Sequence, residues 1–150
     1  MEFLVLFMKA QAKIDAHNRK TELAKQALLS EVKSQLVTAR DNGDETGEIS
    51  LTLTLGNIYA YYSDFELSDT MYRQGLASAR HLPNRKLEAV ALVNLGLSQK
   101  QRLEYKQAYS YYQKASKISR EINDKELELN IEDHINELVN MLDIDKLSKE

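Results

Sequence analysis

Residues 55–79 read LGNIYAYYSDFELSDTMYRQGLASA, and residues 95–117 read LGLSQKQRLEYKQAYSYYQKASK. Shifted by forty positions, Leu55-Gly56 falls on Leu95-Gly96, Phe65 on Tyr105, Ser68 on Ala108, Tyr72 on Tyr112 and Gly75 on Ala115. The same shift aligns four further columns: Arg40, Arg80 and Arg120; Ala39, Ala79 and Ser119; Asp44, Asn84 and Asp124; Glu48, Glu88 and Glu128. A chain that matches itself at one fixed spacing is built from stacked copies of a single supersecondary unit, and such stacks commonly hold other molecules.

The columns have a helical chemistry. An Arg closing an apolar-periodic stretch suits a helix C-terminus, where the macrodipole favours a cation. An Asx four residues on can cap the next helix, and the Glu then sits in its first turn. Each copy therefore reads as helix end, short turn, helix start. Gly56 and Gly96 fall inside helices, where glycine costs about 1 kcal/mol against alanine. A compensating close approach of the paired helix is expected at Ser68 and Ala108, with Tyr72 and Tyr112 filling the space between units.

This arrangement of Leu-Gly and an aromatic on one helix, then small, aromatic and small positions on the next, resembles the tetratricopeptide repeat family. The resemblance implies an all-α fold, a right-handed α-solenoid of stacked antiparallel helical hairpins, with about seven helices. The family's usual period is ~34 residues; the forty seen here is similar to its longer-repeat branch in signalling adaptors and bacterial peptide-sensing regulators. The match is strongest from Glu48 to Ile122. It implies repeats over 48–82 and 88–122, with lone Pro83 in a turn where it stops a helix harmlessly. A degenerate unit is expected over 1–42, with a first helix in Phe3 to Ala16 and a second in Glu22 to Arg40. A capping helix or partial repeat is expected over 125–143, where Asn136 replaces the glycine, followed by a short acidic tail over 144–150.

Composition narrows the classes. The 150 residues make one domain, with a single Pro and five Gly leaving little room for long loops. The absence of Cys removes disulfides, thiol catalysis and Cys-ligated zinc. Phe3 to Met8 is too short an apolar run to span a membrane and lacks a basic n-region, so a cytoplasmic location is expected. The formal charge of −3 conceals blocks of +3 over 1–40, −7 over 41–70, +8 over 71–120 and −7 over 121–150. The basic block spreads over several helix faces, which disfavours nucleic acid, and internal pairing with its acidic flanks is the expectation.

No catalytic constellation is visible, and the chain is expected not to be an enzyme. His17, His81 and His134 stand in no HExxH or His-x3-His arrangement; no metal site or cofactor is expected. The isolated Gly56 and Gly96 form no phosphate loop. Binding remains, and in the resembled family the first helices of successive units line a concave groove. The candidate groove residues are Leu53, Asn57 and Tyr61; Val93, Asn94, Leu97, Lys100 and Gln101; and Asn130 and His134, with Asp133 and Glu137 beside them. Apolar groups with interspersed amides suit an extended peptide or a partner helix, because amides satisfy a backbone while apolar groups take side chains. A terminal-carboxylate clamp of the kind found in chaperone-tail adaptors is disfavoured, since Leu53, Asn130 and His134 occupy positions where the clamp needs cations. The expected function is a non-enzymatic scaffold binding a protein or peptide segment. The alternative is a self-associating structural protein that stacks through Phe3, Leu4, Leu6 and Phe7.

Overall fold

The computed structural model describes the backbone of residues 2–147 and the side chains of residues 8–9 and 11–142. These residues form six α-helices and no strand: α1 Glu2–Asp41, α2 Glu45–Tyr61, α3 Phe65–Ala79, α4 Lys86–Gln101, α5 Tyr105–Glu121 and α6 Lys125–Leu147. Each helix packs against the next in chain order, and α2 also packs against α4.

The turns follow one rule. At Gly43, Ser63, Leu103 and Asn123 the backbone takes a left-handed φ of 69°, 62°, 65° and 56°. Each of these residues donates its N–H to the carbonyl three residues back, and the following residue donates five back, as in Asp64 to Tyr59 at 2.8 Å and Glu104 to Gln99 at 2.9 Å. That is the Schellman closure of a helix C-terminus. The positions 43, 63, 103 and 123 are multiples of twenty apart, so the forty-residue unit is two similar halves. The missing member is Pro83, whose ring holds φ near −65°. Its turn cannot close in the same way, and it opens into the longer connection from Arg80 to Arg85, with Asn84 Oδ1 accepting from the Lys86 N–H at 3.0 Å.

At both ends the helices run through the positions where that series would place turns, 23 and 143. The hairpin expected over 1–42 is instead one helix of 40 residues, and the described residues hold six helices rather than about seven. The cause is local: residues 17–24 contain no Gly or Pro, and Thr21 Oγ1 donating to the His17 carbonyl and Gln26 donating to Glu22 keep the helical register. Likewise α6 continues to Leu147, beyond the expected 143. Phe3, Leu4, Leu6 and Phe7, the expected self-association patch, lie outside the residues whose side chains are described.

Packing corrects the role of the glycines. A Cβ on Gly96 would stand 2.5 Å from Tyr112 Cε1, and one on Gly56 would stand 2.6 Å from Tyr72 Cδ1. The close approach is therefore made by the tyrosine rings, which press into a notch in their own hairpin, and not by Ser68 and Ala108. The main core runs from α2 to α6 and centres on α4, where residues from Glu88 to Gln99 are buried on most of the helix circumference. A second cluster of Leu29, Val32 and Leu55 joins α1 to α2.

The repeated columns are also functional parts of this scaffold. Arg40 reaches Glu48 at 2.7 Å, Arg80 reaches Glu88 at 3.4 Å and Arg120 reaches Glu128 at 2.8 Å, so each Arg column spans the turn to its Glu column. Asp44 caps the Gly47 N–H at 2.8 Å and Asp124 caps the Leu127 N–H at 3.0 Å, as the Asx column predicts. Cations of the basic block also meet the acidic flanks: Arg85 pairs with Glu121, Lys86 with Asp124 at 2.7 Å, Lys100 with Glu137 at 2.7 Å and Arg102 with Asp69 at 3.1 Å. Exposed pairs of this kind add little stability because solvent screens them; their placement matters more, because they tie successive helices together.

Candidate functional site

The candidate groove residues sit on α2, α4 and α6. Helix α2 packs on α4, and Lys100 Nζ of α4 donates to Glu137 Oε2 of α6, which links the three in sequence. Two of the residues do not belong to a surface. Leu53 and Val93 are 3% and 6% exposed and sit in the main core. The helical period explains this: each precedes the notch glycine by three residues and so shares its face toward the partner helix. A Cβ on Gly75 of α3 would stand 2.6 Å from Leu53 Cδ2, which shows how closely Leu53 fills that space.

The remaining residues stay accessible. Asn57 is exposed and its Oδ1 accepts from the Tyr72 hydroxyl at 2.7 Å. Tyr61 is 82% exposed and meets Tyr62 edge-on, with ring centroids 5.1 Å apart. Asn94 and Leu97 are half-buried, whereas Gln101 and Asn130 are exposed. His134 lies nearly parallel to the Tyr112 ring, 5.4 Å between centroids and 15° between planes.

Electrostatics single out the α4–α6 end of this row. Burial, and then the Lys100 charge, push the His134 pKa down, so its imidazole is neutral at neutral pH. The Lys100 hydrogen bond holds the Glu137 carboxyl below its usual range. Burial pushes the Tyr112 phenol up to about 12. Its hydroxyl has no hydrogen-bond partner, because the position equivalent to Asn57 is Leu97. Among the described residues no group of three or more His, Asp or Glu is placed to hold a metal ion, and no helix is long and apolar enough to cross a membrane.

One polar cluster escaped the sequence reading. Asp69 on α3 accepts from Ser98 Oγ at 2.6 Å and Gln99 Nε2 at 3.2 Å on α4, and from Nη1 of Arg102, which caps the C-terminus of α4, at 3.1 Å. No column marks it, since its counterpart forty residues on is Tyr109. An open cleft of about 690 Å³ also lies between α5 and α6, lined by Tyr109, Gln113, Ser116, Glu132, Ile135 and Asn136 among others.

No protein-family model and no curated protein matches this chain. Among solved structures, the crystal structure of BtubC (BKLC) from P. vanneervenii is similar, with a TM-score of 0.68 at 18% sequence identity. The similarity covers 79% of this chain and 50% of that one, so the chain spans about half the length of this structural neighbour, and at such identity the likeness speaks for the fold alone.

Proposed function

We propose that the chain is a tetratricopeptide-type right-handed α-solenoid acting as a non-catalytic scaffold, and that the accessible face of α2, α4 and α6 binds an extended segment of a partner protein. The observation that carries this reading is the row of accessible amides, Asn57, Asn94, Gln101 and Asn130, beside the half-buried Leu97. Amides donate and accept at once, which suits a peptide backbone, and Leu97 offers an apolar seat for a side chain. The notch pairs Gly56–Tyr72 and Gly96–Tyr112 support the family reading, because the same packing device recurs at the same period. The long repeat favours a part in a regulator or adaptor of the bacterial type, in the cytoplasm.

Selection of displayed random peptides against the chain, followed by calorimetry on the selected peptide, tests the groove. Asn94→Ala is expected to weaken binding by ~0.5 to 1.5 kcal/mol with an unchanged melting temperature, and Leu97→Asp to abolish it, with circular dichroism checking that the fold survives a charge beside the main core. Normal binding by both variants, with loss on substitution of exposed residues of α3 or α5, would place the site elsewhere.

A further inference from the structure

The turn between α1 and α2 carries a chemistry that the other turns lack. Asn42 is followed by Gly43, and no other asparagine of the chain precedes a glycine. Asn42, Gly43 and Asp44 are all exposed. In an Asn-Gly pair the backbone nitrogen of the glycine can attack the Cγ carbonyl of the asparagine, because no Cβ on the second residue shields that nitrogen. The new N–Cγ bond closes a succinimide ring, the side-chain amide nitrogen departs as ammonia, and water then opens the ring. Opening at one carbonyl yields aspartate. Opening at the other yields isoaspartate, in which the main chain runs through the former side chain and is one methylene longer.

The helix end around this pair works against the reaction. The attacking nitrogen must shed its proton and approach Cγ, yet the Gly43 N–H donates to the Arg40 carbonyl at 3.1 Å. The bonds on either side, Asn42 N–H to the Thr38 carbonyl at 3.1 Å and Asp44 N–H to the Ala39 carbonyl at 2.9 Å, hold both residues in the closing turn of α1. The Arg40–Glu48 ion pair and the Asp44 cap on the Gly47 N–H brace the same turn from the α2 side. Gly43 takes its φ of 69° without strain, so the residue that suits the turn is also the one that leaves Asn42 open to attack.

We infer that Asn42 is the site of spontaneous deamidation in this chain, and that the opening of the α1–α2 turn sets its rate. Either product weakens the closure that restrained it. Isoaspartate lengthens the main chain ahead of Gly43, so the Gly43 and Asp44 N–H groups lose their register with the Arg40 and Ala39 carbonyls. Aspartate adds a negative charge at the C-terminal end of the α1 macrodipole, beside Asp41 and Asp44, where anions are unfavourable. Because α1 packs on the other helices chiefly through α2, the change loosens α1 and leaves the packing of α4 on α5 in place.

Ageing the full chain in mildly alkaline buffer, either folded or unfolded in guanidinium chloride, tests this by peptide mapping and mass spectrometry. In the unfolded chain Asn42 is expected to convert ahead of every other asparagine, with isoaspartate among the products. In the folded chain the conversion is expected to be at least about tenfold slower, because only the opened turn reacts. Asp44→Ala removes the cap and is expected to speed the folded reaction about two- to tenfold, with the unfolded rate nearly unchanged. Gly43→Ala, whose Cβ would meet nothing within 4 Å, is expected to suppress the reaction in the unfolded chain. In the converted, folded chain the amides of the α1–α2 turn are expected to exchange with solvent faster, and those of α4 and α5 at their original rates. Equal rates in the folded and unfolded chain would overturn the inference. Faster conversion at another asparagine, a folded rate that Asp44→Ala does not move, or an α1–α2 turn that exchanges as slowly after conversion as before would do so as well.

Discussion

The repeats over 48–82 and 88–122 share a backbone plan and a notch, yet they fill it with different chemistry. In the first, Leu53 presses on Gly75; in the second, the same positions are Val93 and Ala115, so a methyl group has moved from one helix to the other. In the first, the Tyr72 hydroxyl bonds Asn57; in the second, Leu97 leaves the Tyr112 hydroxyl unpartnered. The junction that follows also differs. Between α3 and α4, Asp69 gathers Ser98, Gln99 and Arg102, whereas between α5 and α6 the equivalent positions are Tyr109, Leu138, Val139 and Leu142. The fold constrains volume and backbone approach at these sites; it leaves polarity free wherever partners change together.

The polar junction offers the largest effect. Asp69→Ala strands Ser98 and Gln99, which are 1% and 4% exposed, and each buried polar group without a partner costs about 1 to 3 kcal/mol. A loss of ~3 kcal/mol or more in unfolding free energy, read from urea denaturation, is expected. Replacing the set together by its α5–α6 counterparts, Asp69→Tyr with Ser98→Leu, Gln99→Val and Arg102→Leu, should recover most of that loss. Failure of Ser98→Ala to recover any of the loss in the Asp69→Ala background would show that packing, not polar satisfaction, carried the effect.

A smaller effect separates the notch pairs. Gly75→Ala sets a methyl group against Leu53 and overpacks the hairpin by ~1 to 3 kcal/mol, offset by about 1 kcal/mol of helix propensity. Leu53→Val leaves a small cavity costing ~1 kcal/mol. The double variant recreates the Val93–Ala115 pair and should be more stable than either single variant, with a coupling of ~1 to 2 kcal/mol between two contacting sites. Additive thermal denaturation results would break the equivalence of the two repeats.

Much of this scaffold was legible in the chain. The period, the Asx caps and the notch glycines are written in residue types that have few alternatives, so columns expose them. The Arg and Glu columns could also have been joined, since both recur at forty and stand eight apart across a turn. The turn series was harder to see, because Ser63, Leu103 and Asn123 share a left-handed backbone but no side chain. The continuous α1 departs from the expected hairpin because no Gly or Pro over residues 17–24 breaks the helix. Of the candidate groove, Asn57, Asn94, Gln101 and Asn130 are accessible, whereas Leu53 and Val93, expected on the same face, lie in the core; a shift of one helical step decides between solvent and core.

The tyrosine pair yields the smallest effect and the sharpest contrast, a difference in sign. Both rings fill equivalent notches and both are almost fully buried, at 3% and 0% exposure, so removing either hydroxyl leaves the apolar packing alone. Tyr72→Phe deletes a 2.7 Å hydrogen bond to Asn57. The exposed Asn57 regains water, and the expected loss is the net value of one hydrogen bond, ~0.5 to 1.5 kcal/mol. Tyr112→Phe deletes a hydroxyl that is desolvated without return, so a gain of ~1 kcal/mol is expected. The same burial that raises the Tyr112 pKa to about 12 makes its stabilising contribution fall as pH rises past the ordinary tyrosine value near 10. The gain from Tyr112→Phe should therefore widen in alkaline buffer. Equal losses from both substitutions, measured by denaturation at neutral and alkaline pH, would show that the Tyr112 hydroxyl has a partner after all and that the two repeats handle their tyrosines alike.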